Sequence, residues 1–216
     1  MTLQHIQKRL QGIYELDLEH CVYDFLITSR ELADAQLHST VDSRETLLVC
    51  QEQDELFLSL YLHDGVVRNL EINETGLLLH KDNIEDFFLA LEGISHFIYL
   101  IWNASFERSV TKLEMEIQAE IDKFIMLSKF VNRQQQYLAP GKLRRLLFES
   151  VSYRGGMSQE DIQRYRDANF FAEKYCWFLE SRNYLNAGLE QELLKEIRRF
   201  YRLNLRGKLQ RISYLY

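Results

Sequence analysis

Four side chains in the middle of this 216-residue sequence have the types and the spacing to do chemistry: Glu92, His96, Glu116 and Glu120. On a helical wheel turning about 100° per residue, Glu85, Glu92, His96, Tyr99 and Asn103 fall in one narrow stripe. Nearly everything else in that stretch, including Phe87, Leu91, Ile94, Phe97, Ile98, Ile101 and Trp102, is apolar. A helix greasy over most of its circumference belongs at the centre of a bundle, so its polar stripe must meet a sliver of water or polar partners. The next helix offers such partners. Its apolar stripe is Leu113, Ile117, Phe124, Leu127 and Val131, with Glu120 in the middle and Glu116 at the edge. If the segment 103–111 joins the two as an antiparallel hairpin, residues at one level have numbers of constant total, about 214 for a loop centred near 107. Glu92 with Glu120 and His96 with Glu116 both total 212.

Three carboxylates and an imidazole in a low-dielectric core raise one another's cost of ionisation. The cluster resolves by protonation, by pairing with a cation or by holding a metal. One reading is structural: His96, as a cation between Glu92 and Glu116, ties the hairpin together, and Tyr99 and Asn103 extend the network. The other is functional: Glu92 and His96 as a catalytic acid–base pair, or Glu92, His96, Glu116 and Glu120 as ligands of a divalent metal ion, the one cofactor this pattern suggests. A four-helix di-iron site is disfavoured. It calls for two Glu-x-x-His motifs, whereas the spacing here is Glu-x-x-x-His and no histidine follows His96. Cys176, between Tyr175 and Trp177, reads as a small buried hydrophobe rather than a nucleophile, and Asn169 lies on the apolar face of the same helix.

A second candidate surface lies at the C-terminal end. Lys195, Arg198, Arg199, Arg202, Arg206, Lys208 and Arg211 crowd residues 195–216 with Glu196 as the sole acid, interleaved with Phe200, Tyr201, Tyr214 and Tyr216. Cations among aromatics can bind phosphate backbones and stack on bases. They can equally dock an acidic protein surface, and a net charge of −6 favours protein over nucleic acid. Arg198, Arg199, Arg202, Arg206 and Lys208 are therefore candidate partner-binding residues.

The elements that must position these groups divide the chain by character. Residues 1–100 carry 18 acidic and six basic residues, and residues 101–216 carry 14 and 20. The first 80 residues read as mixed α and β: a helix near 3–15, a β-rich run from Cys21 to Thr28, then runs at Glu45–Cys50 and Leu56–Leu62 around the polar Gln51-Glu52-Gln53-Asp54-Glu55. Leu56, Leu58, Leu60 and Leu62 alternate with Phe57, Ser59 and Tyr61, which predicts a strand and, with its neighbour, a hairpin. Asp64 to His80 reads as a short helix followed by a loop. From residue 82 onward everything reads helical, with capping signatures at Asp82-Asn83-Ile84-Glu85, Thr111-Lys112-Leu113-Glu114 and Ser158 to Asp161. Helices are expected to about Gln136, over Lys142–Val151, over Ser158–Ser181 and over Leu189–Leu203. Breaks are expected at Pro140-Gly141, Arg154-Gly155-Gly156 and Asn183–Gly188.

The expected fold class is α+β: a small N-terminal antiparallel sheet with a helix over residues 1–81, then a larger helical bundle over residues 82–216, packed as one globular unit. Three scattered cysteines suit reduced thiols in a cytosol, the N-terminus lacks an apolar signal-peptide core, and the greasy 87–104 stretch is interrupted by Glu92 near its middle, which argues against a membrane span. Gly-rich phosphate loops, Walker sequences, nucleophile elbows, HExxH, CxxC and dinucleotide fingerprints do not occur. The leading expectation is a non-enzymatic, cytoplasmic protein-interaction or regulatory module, binding a protein partner or a second copy of itself. The alternatives are a metal-dependent or acid–base enzyme, and a nucleic-acid-associated protein using the basic helix.

Overall fold

A computed structural model describes residues 2–37, 43–53, 55–72, 82–133, 141–149, 157–182, 185 and 190–215. Among these residues the fold is α+β, with nine α-helices and a three-stranded sheet. The chain divides into two compact units, residues 1–12 with 16–102 and residues 13–15 with 103–216. Among the described residues no helix is long and apolar enough to cross a membrane.

The first unit is built on the sheet. Helix α1 (Leu3–Tyr14) is followed by a 3-10 turn at Val22–Phe25 and strand β1 (Leu26–Ile27), then by α2 (Arg30–Leu37), β2 (Glu45–Glu52), β3 (Glu55–Leu62), α3 (Asp64–Ile72) and α4 (Ile84–Ala104). Gln7 straps the return segment to α1, donating to the His20 carbonyl and accepting from the Val22 N–H at 2.6 and 2.9 Å. The expected hairpin forms, with Glu45 opposite Leu62 at its base and Glu52 opposite Glu55 at its tip. The run after Cys21 yields only two strand residues, and these pair in parallel with Leu60 and Tyr61, so the sheet is mixed, in the order β1-β3-β2.

Burial along β3 rises from tip to base instead of alternating, because both faces of its last residues are covered. Tyr61 packs with Leu48, Ala33 and Ile27 on the α2 side. On the other face Leu60 meets α4 at Gly93, where a side-chain Cβ would come within 2.8 Å of the leucine Cδ1 and 3.0 Å of Glu45. The glycine costs roughly 1 kcal/mol of helix propensity and stands where Leu60 and Glu45 of the sheet leave no room for a side chain. The lead-in to β2, α3 and α4 are joined at Asp86, which receives Arg44 at 2.6 Å and Asn69 at 2.7 Å.

The second unit is helical: α5 (Lys112–Arg133), α6 (Lys142–Phe148), α7 (Gln159–Ser181), α8 (Glu190–Tyr201) and α9 (Leu205–Ser213). Helix α5 packs along α7, with α6 against both and α9 on α7. The caps follow the sequence signatures. Thr111 Oγ1 accepts from the Glu114 N–H at 3.2 Å and Ser158 Oγ from that of Asp161 at 3.0 Å. The helix expected over Leu189–Leu203 is α8, and a further short helix, α9, follows it, capped by Asn204, which accepts from the Gly207 N–H. The loop expected at Arg154–Gly156, the turn at Asn183–Gly188 apart from residue 185, and the helix ends near Gln136 and Val151 lie outside the described residues.

Candidate functional site

Glu92 and His96 stand one turn apart on α4 in the first unit, with a carboxylate oxygen and a ring nitrogen within 4.8 Å of each other. The sheet adds a third member that sequence reading missed. Glu45, the first residue of β2, places Oε1 3.8 Å from His96 Nδ1, and both side chains are nine-tenths covered. Gly93 is what makes room for it, since the Glu45 carboxylate occupies the place a side chain there would take. A glycine between two polar members of a helical stripe was the available signal, but nothing in the sequence said which strand would use the space.

Glu116 and Glu120 belong to α5 in the second unit, and each has a cation inside that unit. Glu116 lies 3.8 Å from Arg164 of α7, and Glu120 is 2.7 Å from Lys123. Such pairs offset the cost of ionising the buried Glu116 and the partly buried Glu120. Asn169 donates to the Phe148 carbonyl at 3.1 Å. Cys176 is wholly buried, and burial, reinforced by the charge of Glu180, pushes its thiol well above the ordinary range, so it holds its proton.

The most deeply buried polar cluster lies on the other side of α5. Glu114, Gln118 and Asp122 recur every four residues, a spacing that reads as a solvated face, yet all three are buried. Lys208 of α9 enters beside them with 0% exposure. Its Nζ donates to Gln118 Oε1 at 2.8 Å and to the Phe200 carbonyl at 3.1 Å, and lies 4.4 Å from the centre of the Phe200 ring. Gln118 Nε2 in turn donates to Asp122 Oδ1 at 2.9 Å and to the Tyr14 hydroxyl at 3.1 Å, while that hydroxyl donates to Asp122. The Tyr14 ring stacks on Tyr201 with centroids 4.2 Å apart. Burial, aided by the Asp122 charge, holds the Tyr14 phenol well above its usual range. Desolvation pulls the Lys208 ammonium down to about 7 against the opposing pull of Glu114 and Asp122. Lys208, grouped by sequence with the exposed cations, is thus turned inward.

Four of the remaining cations, Lys195, Arg198, Arg199 and Arg202, line an open groove of about 550 Å³ on α8 together with Glu15, Gln191 and Glu192. Leu193, Ile197, Phe200 and Tyr201 commit the apolar stripe of α8 to the interior, which turns its basic stripe outward. Two of the arginines are spent on structure. Arg198 donates to the Ile13 carbonyl at 2.7 Å and pairs with Glu15 at 2.6 Å, and Arg202 donates to the Tyr14 carbonyl at 3.0 Å. Arg211 is held by Glu196 at 3.0 Å. Lys195 and Arg199, one turn apart and exposed, and Arg206 on α9 have no carboxylate partner among the described residues.

Compared with known proteins, the chain matches no family model, no curated protein and no solved structure. Its function is read from its own residues.

Proposed function

We propose that the protein is a non-enzymatic interaction module that receives an acidic segment of a protein partner on the basic groove of α8. The observation that carries this reading is the pair Lys195 and Arg199: exposed, four residues apart and, among the described residues, in no ion pair, beside the already pinned Arg198 and Arg202. Like charges at this spacing cost an isolated helix a few tenths of a kcal/mol, and an anionic ligand removes that cost. Four cations against Glu15 and Glu192 leave the groove a net charge of two. Free Cys21, Cys50 and Cys176 support a reducing, cytoplasmic setting. A fluorescent oligo-glutamate peptide should bind at low salt and weaken as salt screens the contact. The double variant Lys195→Glu/Arg199→Glu should lose about tenfold or more in affinity, two surface ion pairs being replaced by repulsion. Equal binding by the variant, or tighter binding of a random oligonucleotide of the same charge, overturns the reading.

A second reading, metal binding on α4, is favoured by one observation: Glu92 and Glu45 both bring carboxylates to His96. One imidazole with carboxylates suits a borderline divalent ion such as Zn²⁺ or Mn²⁺. Calorimetric titration of chelator-treated protein with either ion should give saturable heat that His96→Asn abolishes, and no heat with the unaltered chain rejects it.

A further inference from the structure

The β2–β3 hairpin carries the complement of the α8 groove. Its base is covered on both faces, but toward the tip the cover ends: Val49, 48% exposed, and Leu56 are left together on one face, and Phe57, 51% exposed, stands on the other. Large apolar side chains left exposed together mark surfaces that meet another molecule. Among the described residues the edges are open as well. β2 is the outer strand, and β1 pairs with β3 only at Leu60 and Tyr61, leaving the tip half of β3 unpaired on that side. At the end of the ladder Glu52 stands directly opposite Glu55. Both are exposed, and among the described residues neither has a cationic partner. Like charges directly opposite across strands are destabilising, so this pair, like Lys195 and Arg199, is uncompensated within its own unit.

We infer that the partner received by the α8 groove is the acidic tip of the β2–β3 hairpin of a second copy of this chain. Glu52 and Glu55 face Lys195 and Arg199, two carboxylates against two groove cations that form no ion pair among the described residues, and Val49 and Leu56, on one face of the hairpin, are covered by the association. The hairpin tip is acidic and the groove carries an excess of cations, so the two surfaces are complementary in charge. The two surfaces differ, so the contact is heterologous and propagates into rings or chains rather than stopping at a two-fold dimer. This inference rests on the groove being a site for acidic protein.

The test is sedimentation of the full chain at low salt with two charge reversals, Glu52→Lys/Glu55→Lys in the hairpin and Lys195→Glu/Arg199→Glu in the groove. The unaltered chain should exceed its monomer mass of 25.9 kDa as concentration rises. Each variant alone should remain monomeric, and an equimolar mixture of the two should associate again. Recovery in the mixture also shows that neither variant is misfolded. A chain that stays monomeric at the highest concentration, or association that neither reversal weakens, overturns the inference. If the chain stays monomeric yet oligo-glutamate still binds the groove, the second copy is excluded and the groove reading stands. If the peptide fails as well, both fall.

Discussion

Replacing Lys208 with methionine should remove a rise in stability between pH 7 and 10.5. The folded chain releases the Lys208 proton at about 7, against an ordinary value of 10.5. Between those values the unfolded chain holds one proton more than the folded chain, so the wild-type protein gains up to about 1.4 kcal/mol per pH unit as pH increases. Below pH 7 the proton is bound in both states and the full burial cost is present. Above 10.5 it is absent from both and the cost is gone. The interval is worth about 5 kcal/mol. Methionine has similar length and no proton, so the stability of Lys208→Met minus that of wild type should fall by about this amount across the window. Other titrating groups are common to both proteins and cancel to first order. Losing the donor to Gln118 and to the Phe200 carbonyl adds a cost of about 1–3 kcal/mol per orphaned acceptor, which offsets the curves without changing their divergence. Urea unfolding of both proteins at pH 6.5, 7.5, 8.5 and 9.5 should show about 3 kcal/mol of this divergence. Parallel curves would mean that Lys208 stays protonated throughout.

The same residue marks where sequence reading reaches its limit. Local signals are sufficient for the elements: the alternation Leu56–Leu62 gives the strand, the Thr111 and Ser158 signatures give the caps, and the greasy 87–104 stretch gives a buried helix. They fail where burial depends on distant chain. Glu114, Gln118 and Asp122 have the spacing of a solvated stripe, and only Tyr14 and Lys208, 104 and 90 positions from Gln118, turn that stripe into an interior network. Glu45 is likewise delivered to His96 by strand pairing and by the space at Gly93, neither of which a helical wheel can contain. The candidate acids on α5 were visible as residues, but Arg164 lies 48 positions away from Glu116, and so the pairing was not. Among the basic residues composition could not separate Lys195 and Arg199, which form no ion pair among the described residues, from Arg198, Arg202 and Arg211, which hold the fold together.

Asp122→Ala should be the most damaging single truncation in the second unit, and it links the buried network to the groove. Asp122 is wholly buried and accepts from the Tyr14 hydroxyl and from Gln118. Alanine leaves both donors without this acceptor and removes one of the two carboxylates that favour the Lys208 ammonium. Breaking a buried charged network from one side costs about 3–5 kcal/mol, which a urea midpoint at pH 7 would register. Asp122→Asn keeps an oxygen acceptor while removing the charge and should cost less. Equal losses for the two variants would assign the effect to charge alone, and a loss for Asp122→Ala below about 1 kcal/mol would contradict the network. The second readout is binding. Ile13 and Tyr14 present their carbonyls to Arg198 and Arg202, so the end of α1 that Asp122 anchors by its tyrosine also positions two of the four groove cations. Folded Asp122→Ala should therefore hold oligo-glutamate more weakly than wild type even though no groove residue has changed. Unaltered peptide affinity would show that Arg198 and Arg202 keep their places without Tyr14.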